Sequence, residues 1–218
     1  SPTDMGVNMV GYGIIDDEAV SKAAKEEIIR RYYDALCAKR QGNADDVQVM
    51  KIELLMKQAG ITVDDRPVIG AANARAEETG APAAAMELPS GEIITGKTSE
   101  LLGASSALLL NALKKLAGLE DELHMIAPTV IEPIQKLKIK HLGNANPRLH
   151  TDEVLIALSI CAATDEKAKR AMEQLPNLRG SEVHSSVILS QVDKNIFRKL
   201  GINLTCEPVY QTKKLYHK

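Results

Sequence analysis

The sequence has almost no aromatic side chains. Phe, Tyr and Trp make up 3% of its 218 residues, Trp is absent, and Phe197 is the single phenylalanine. Proteins that bind single-stranded nucleic acid stack its bases on aromatic rings, so this composition argues against that class of protein. The core must instead be filled by Leu, Ile, Val, Ala and Met, which dominate the 44% of hydrophobic residues.

Cysteines are few and widely spaced. Cys37, Cys161 and Cys206 form no CxxC pair, so the sequence predicts neither a zinc ribbon nor a disulfide framework. Cys161 and Cys206 stand in apolar segments and are interpreted as small core residues. Free thiols of this kind are typical of a reducing compartment, and we expect a cytoplasmic protein.

Excess charge and long apolar runs are also missing. The formal net charge is −2 at pH 7, which offers no basic surface for nucleic acid. No run approaches the roughly 20 apolar residues of a membrane-spanning helix, and no signal segment opens the chain. We therefore expect no nucleic-acid or membrane partner. Because the first residue is Ser rather than Met, we expect a fragment or processed product of a longer protein.

Helical patterns occupy most of the chain. Acidic starts, basic ends and terminal glycines predict helices that stop near the following residues: Gly42, Gly60, Gly80, Gly118 and Gly143. Thr98 or Ser99 is expected to cap the helix that ends at Gly118, and Pro133 should lie in the first turn of the next helix or bend it. From Thr151 the run VLIALSICAA is apolar on every face, which predicts a helix buried all round.

Two segments have strand character. APAAAMELPSGEIITG predicts a hairpin that turns at residues 89–91. Near the C-terminus, alternation through Val183 to Leu189, a capping box formed by Ser190 and Asp193, and a second apolar run at residues 202–206 predict a strand–helix–strand unit. The expected fold is α/β, a helix-rich domain with a small mixed sheet. We expect one domain over residues 1–218, with a subdivision near residue 80 into a helical part (1–80) and an α/β part (81–218).

A first candidate site is TGKTS, in which Lys97, Thr98 and Ser99 precede a predicted helix. Helix starts offer unpaired N–H groups and partial positive charge, so these residues are candidate anion ligands. The wider string GEIITGKT satisfies the phosphate-loop pattern literally. However, its middle residues form an apolar strand pattern that cannot curl around a phosphate, and simple helix capping is the alternative explanation.

A second candidate site is NANPRLHTDE, which precedes the apolar helix. Turn formation explains its amides, and Thr151 can cap the helix without any further function. Capping does not explain Arg148 and His150, which together with Thr151 could hold a phosphate or carboxylate at a helix start. We interpret Arg148 and Thr151 as anion ligands and His150 as a candidate acid or base.

His184 is a second candidate catalytic histidine. It lies in a predicted strand, on the face opposite Val183, and a lone histidine in such a place is more often structural than catalytic. No HxxxH or HExxH spacing occurs, so the residues predict no metal site and specify no cofactor.

Four long blocks resemble one known family. SPTDMGVNMVGY, ETGAPAAAMELPSGEIITGKTSELLGASSALLLNALK, HLGNANPRLHTDEVLIALSICAAT and HSSVILSQVDKNIFRKLGINLTCEP look like the C-terminal half of a bacterial family of uncharacterised proteins, domain of unknown function 1846. The resemblance implies proteins about twice this length, with an N-terminal half that carries a nucleotide-binding-like glycine-rich segment. It brings no catalytic residues with it.

Three functions are consistent with these observations. The first is a C-terminal domain that contributes to an interdomain site for an anionic or phosphorylated small molecule, with its own N-terminal domain as partner. The second is a structural module that forms a homo-oligomer through the small residues at positions 103–106. The third is a metal-dependent hydrolase.

Overall fold

The structure is a computed structural model that describes residues 17–211. This part of the chain contains eight α-helices and four strands. In chain order they are α1 Asp17–Arg40, α2 Asp46–Ala59, α3 Val68–Thr79, β1 Ala83–Glu87, β2 Ile93–Lys97, α4 Ala104–Leu116, α5 Pro128–Lys140, α6 Thr151–Ala162, α7 Glu166–Met172, β3 Glu182–Ser185, α8 Gln191–Lys199 and β4 Asn203–Cys206. Short 3₁₀ turns occupy Val63–Asp65 and Leu175–Leu178. The block SPTDMGVNMVGY lies outside the described residues.

The four strands form one mixed sheet in the order β2-β1-β3-β4. Strand β1 runs antiparallel to both neighbours, whereas β3 and β4 are parallel, so β2, β3 and β4 point in the same direction. The predicted hairpin is confirmed: Gly91 takes a φ of 82° and its N–H donates to the carbonyl of Leu88 at 2.8 Å. The C-terminal strand–helix–strand unit is confirmed as a parallel pair. The fold is α/β, helix-rich with a small mixed sheet.

Helices cover both faces of the sheet. On one face a large core gathers side chains of α4, α6, α7 and α8 around Met86 of β1 and Val183 of β3. On the other face α3 packs through Val68 and Ala72 on Ala85 of β1. Helices α1 and α2 form a separate cluster around Ile29. No helix within residues 17–211 has the length and apolarity needed to cross a membrane.

Gly96 lets α4 approach the sheet unusually closely. A Cβ at this position would stand 2.2 Å from the backbone N and 2.5 Å from the Cα of Leu108. Only hydrogen fits there, which explains the glycine without any phosphate-binding role. The string GEIITGKT is therefore not a phosphate loop, because its middle forms β2.

A buried polar network holds α1 and α3 against the C-terminal strands. The fully buried Arg66 donates to Glu182 at 2.9 Å and to the carbonyls of Val183 and Asn203 at 2.8 and 3.0 Å. Arg30 of α1 donates to the other oxygen of Glu182 at 2.7 Å. Glu182 thus accepts from two guanidinium groups, which compensates the burial of its charge.

His184 belongs to the same side of the sheet. Its Nδ1 lies 2.8 Å from the hydroxyl of Thr205 and its Nε2 lies 3.2 Å from Glu207, while its ring contacts Tyr33 edge to face. Burial lowers the pKa of His184 and outweighs the opposing pull of the Glu207 carboxylate. The neutral imidazole is the form that the folded protein favours.

Two expectations about helices are wrong. Helix α4 begins at Ala104, with Gly103 as its N-cap, rather than after Thr98 or Ser99, because residues 99–102 form a turn in which the N–H of Leu102 donates to the Ser99 hydroxyl. Helix α6 is not buried all round: Ile156 and Ile160, one turn apart, are 60% and 61% exposed. Its packing uses only the face of Val154, Ala157 and Leu158.

Replacing Gly96 with alanine tests the close contact with α4. The added methyl group overlaps the Leu108 backbone, so we expect Gly96→Ala to lower the free energy of unfolding by about 1–3 kcal/mol or more. The matched control is Gly70→Ala, in exposed helix with nothing within 4 Å of its Cβ, which should raise stability by about 0.5–1 kcal/mol. Urea unfolding measures both, and equal effects would contradict the packing argument.

Replacing His184 with glutamine tests the neutral buried imidazole. The unfolded chain takes up a proton at the usual pKa of 6.5, whereas the folded chain resists until lower pH. Stability from His184 is therefore complete above pH 6.5 and is lost as pH falls towards the lowered pKa, by at most about 1.4 kcal/mol per pH unit. We expect the stability difference between wild type and His184→Gln to shrink between pH 8 and 5.5 in urea unfolding. A difference independent of pH would refute the assignment.

Candidate functional site

A cleft of about 370 Å³ lies at one end of the sheet. Because β2, β3 and β4 point the same way, their carboxyl ends meet at this edge, where ligands commonly bind in open α/β sheets. Most of the lining comes from the segments that follow these strands and from the turns before α4 and α6. It comprises Gln41, Pro82, Thr98, Gly103, Ala104, Ser105, Asn146, Arg148, Leu149, His150, Val187, Ile188, Leu189, Ser190, Asp193, Tyr210 and Gln211.

Three helices begin at the cleft. The N-caps of α4, α6 and α8 are Gly103, His150 and Ser190, and all three line it. Each helix start carries unpaired N–H groups and roughly half a positive charge. Their convergence makes this edge of the sheet favourable for a negative group.

Of the three helix starts, that of α4 has the fewest hydrogen bonds to its first-turn N–H groups. Gly103 has no side chain to cap the first turn, and no side chain among residues 17–211 accepts a hydrogen bond from that turn's N–H groups. Beside it, Ser105 and Thr98 are only 2% and 8% exposed. Within the same part of the chain, neither hydroxyl has a hydrogen-bond partner, and both residues line the cleft. Both hydroxyls are therefore free to form hydrogen bonds with a ligand in the cleft.

Asp193 joins the starts of α6 and α8. It is 4% exposed, and its Oδ1 accepts from the backbone N–H and the hydroxyl of Thr151 at 3.0 and 2.9 Å. Its Oδ2 accepts from the Ser190 hydroxyl at 2.7 Å and lies 3.1 Å from Nδ1 of His150. Burial alone would raise the pKa of Asp193, but these hydrogen bonds outweigh it and hold the pKa below its usual value. Asp193 is therefore a carboxylate.

An ionised Asp193 fixes the proton of His150. A carboxylate only accepts hydrogen bonds, so Nδ1 must carry a proton and Nε2 is the nitrogen that titrates. Nε2 has no hydrogen-bond partner among residues 17–211, and the side chain is 30% exposed. The hydrogen bond to Asp193 raises the pKa of His150 and outweighs the effect of burial. The imidazolium is favoured at and just above the usual pKa.

A buried lysine positions the turn that carries Arg148 and His150. Nζ of Lys138 donates to the carbonyl of Arg148 and to Glu153, both at 2.6 Å. The same oxygen of Glu153 accepts from the backbone N–H of His150 at 2.8 Å. Nε of Arg148 donates to the carbonyl of Ser99, which joins this turn to the segment after β2. One ammonium group thus fixes the backbone at both cleft residues.

The structure brings together some of the sequence candidates and separates others. Thr98, Arg148 and His150 line the cleft, and Thr151 lies beneath it, bonded to Asp193. Ser99 is exposed and contributes its carbonyl to Arg148. Lys97 does not line the cleft, because side chains alternate along β2 and Lys97 lies on the opposite face from Gly96.

His184 is not part of this cleft, since it lies in the polar network on the α1 and α3 side of the sheet. Within residues 17–211 no three His, Cys, Asp or Glu side chains gather as ligands for a metal ion. The small residues proposed for oligomer contacts are inside the fold: Ala104, Ser105 and Ser106 are buried, and the Ser106 hydroxyl donates to the carbonyl of Leu149 at 2.8 Å. That surface is therefore not available to a partner chain.

Sequence reasoning missed Ser105, Ser190 and Asp193 as site residues. Ser190 and Asp193 had a sufficient explanation as a capping box, and the Ser190 hydroxyl does accept from the N–H of Asp193 at 3.2 Å. Nothing in the spacing indicates that the Asp193 carboxylate reaches α6, 42 residues away in sequence. The sequence offered only an acidic residue in the first turn of a predicted helix, which capping already explains.

Comparison with known proteins identifies the family. The family model described as domain of unknown function DUF1846, C-terminal, matches residues 64–216, and the corresponding N-terminal model matches residues 1–60. A UPF0371 protein of Streptococcus thermophilus (strain ATCC BAA-491 / LMD-9) is 57% identical over 218 residues, which is 100% of this chain and 44% of the relative. A UPF0371 protein of Streptococcus pyogenes serotype M5 (strain Manfredo) is 55% identical, with the same coverage.

These matches correct one expectation. The chain is not the C-terminal half alone, because residues 1–60 match the N-terminal family model. The boundary between the two matches falls at residues 60–64, between α2 and α3; the subdivision near residue 80 stays a prediction. The chain spans 44% of the length of these relatives. It therefore belongs to the bacterial family of domain of unknown function 1846 and matches both its N-terminal and its C-terminal parts.

Proposed function

We propose that the cleft binds an anionic small molecule, most simply a phosphorylated one. The observation that carries this proposal is the uncapped start of α4, with the unpartnered hydroxyls of Ser105 and Thr98 beside it. Phosphate oxygens accept several hydrogen bonds at once and favour the positive end of a helix. Lining groups of this kind match a phosphoryl group better than an apolar ligand.

Two charged side chains complete the site in this proposal. Arg148 supplies a guanidinium whose planar donors suit phosphate or carboxylate oxygens, and His150 adds positive charge when Nε2 is protonated. The buried carboxylate of Asp193 would otherwise repel an anion, but its oxygens are directed at Thr151, Ser190 and His150. The remaining sequence candidates do not contact the ligand in this proposal. Thr151 holds Asp193 in place, and Lys97 and Ser99 lie outside the pocket.

We further propose that the site is shared between the two family parts. Gln41, from the region matched by the N-terminal model, lines the cleft together with residues of the C-terminal region. The relatives are more than twice as long as this chain, and the rest of their N-terminal, nucleotide-binding-like domain would be the partner that closes the rim.

A second candidate function, a structural oligomerisation module, is favoured by the outer face of α2. Ile52 and Met56 of this helix pack in the cluster with α1, yet Val47, Met50 and Leu54 form an apolar stripe on the opposite side. These three side chains are between 52% and 60% exposed. A helix that is apolar on two faces is typical of an element packed between two partners.

The anion site is tested by thermal unfolding with inorganic phosphate. Ligand that binds only the folded protein raises its stability by about 2.7 kcal/mol at a hundredfold excess over Kd, so the wild-type Tm should rise with phosphate concentration. The double variant Arg148→Gln/His150→Gln should lose this response. The matched control, Arg31→Gln/His141→Gln, removes an exposed arginine and an exposed histidine outside the cleft and should keep it. An unchanged response in the first variant would refute the site.

The α2 stripe is tested by sedimentation equilibrium over a range of concentrations. We expect self-association in wild type and its loss in Leu54→Lys, because a charge in the stripe would have to be desolvated at the interface. Gln48→Lys adds the same charge to an exposed α2 position outside the stripe and should associate like wild type. A wild-type protein that is monomeric at all concentrations contradicts this second candidate.

A further inference from the structure

The pairing of His150 with Asp193 exceeds what anion binding requires. A Lys or Arg at the N-cap of α6 would attract an anion at every physiological pH. The cleft instead holds a histidine backed by a buried carboxylate, and this negative charge contributes nothing to the attraction of an anion. A carboxylate in this position acts through the histidine, because it orients the ring and stabilises the imidazolium.

The carboxylate is itself held rigidly. Three donors besides His150 reach it: the backbone N–H and hydroxyl of Thr151 and the hydroxyl of Ser190. The imidazole can therefore rotate little without breaking its bond to Asp193, which keeps Nε2 as the nitrogen free to exchange a proton. A base or acid held in one orientation, beside a group that binds the substrate's charge, is what general acid–base catalysis requires.

We propose that the cleft hydrolyses phosphate monoesters, with His150 as the general acid and Asp193 as its positioning residue. This inference rests on the proposed anion site. In the reactive complex the phosphoryl oxygens bind the start of α4, the hydroxyls of Ser105 and Thr98, and Arg148. Nε2–H of His150 faces the oxygen that joins phosphorus to the leaving group.

The step consumes only water. The ester P–O bond breaks, and its electron pair stays on the leaving oxygen, which takes the proton from Nε2. A water oxygen forms the new P–O bond, and the product is dihydrogen phosphate. That product returns one proton to Nε2 and leaves as hydrogen phosphate, so the imidazolium is restored. Helix-start N–H groups and Arg148 stabilise the charge on the transferring group throughout.

The pH dependence follows from the groups that face His150. Asp193 and Ser190 reach it from the start of α8, Glu153 lies one turn along α6, and Lys138 approaches from α5. The hydrogen bond to Asp193 is the largest cause of the raised pKa of His150. Because the acid form is active, kcat/KM should fall as pH rises through that raised pKa. Replacing Asp193 with asparagine should move the descending limb of the plot of kcat/KM against pH to lower pH.

Leaving-group dependence separates general-acid catalysis from mere binding. The p-nitrophenolate group leaves readily without a proton, whereas an alkoxide such as that of glycerol phosphate does not. We therefore expect His150→Gln to reduce phosphate release from glycerol phosphate and other alkyl phosphates by roughly 10²–10⁴-fold. Release from p-nitrophenyl phosphate should fall much less. His141→Gln, at an exposed site outside the cleft, is the matched control and should match wild type on both.

The experiment measures phosphate release from p-nitrophenyl phosphate and a panel of sugar, glycerol and nucleoside monophosphates, alongside phosphate binding. Release by wild type, with the selective loss in His150→Gln and the shifted pH limb in Asp193→Asn, supports the proposal. Since Asp193→Asn removes several structural bonds, Ser190→Ala is measured as well: it removes one donor but keeps the carboxylate, so the descending limb should not move to lower pH.

Three results would overturn the proposal. Phosphate binding without release from any ester leaves the anion site standing and removes the catalytic role. Release that His150→Gln does not change, or changes equally for aryl and alkyl esters, removes the general acid. Absence of phosphate binding removes the proposed anion site and this inference together, so the two failures are distinguishable.

Discussion

The fold depends on the buried guanidinium of Arg66. Its donors reach the Glu182 carboxylate, the Thr205 hydroxyl and the carbonyls of Val183 and Asn203, so one side chain joins the segment just before α3 to two parallel strands. Removing one partner of such a pair leaves an uncompensated buried charge, which typically costs about 3–5 kcal/mol. Arg66 also stands just beyond the boundary between the two family matches, at residues 60–64. It therefore secures the sheet at the point where the two parts of the chain meet.

The cleft follows from this arrangement of strands. With β3 and β4 fixed side by side, the segments after them leave the sheet at the same edge as the segment after β2. Gly96 keeps α4 close to β2, so the start of that helix is held at the edge. Asp193 then ties α6 to α8. Rigid elements, rather than mobile loops alone, determine where the polar groups of the pocket lie.

Helix caps, turn residues and apolar periodicity in the sequence predicted most of the secondary structure. They did not predict the long-range contacts. Terminal glycines at Gly60 and Gly80 and the turn at Gly91 predicted their elements, because left-handed backbone there favours glycine. In the segment NANPRLHTDE, turn formation and helix capping explain most residues but not Arg148 and His150. These two residues do line the cleft. The reach of Asp193 to α6 could not be predicted, since tertiary packing decides it. The exposure of Ile156 could not be predicted for the same reason. The sequence shows that the residue is apolar but not whether another element packs against it.

Lys138 gives the pocket an unusual dependence on a side chain that does not line it. Its ammonium holds the carbonyl of Arg148 directly and the N–H of His150 through Glu153. The two residues are therefore not independent in their placement, and any change that displaces this lysine displaces both together. A single substitution at position 138 would therefore displace two lining residues at once, even in a relative that retains every residue of the lining.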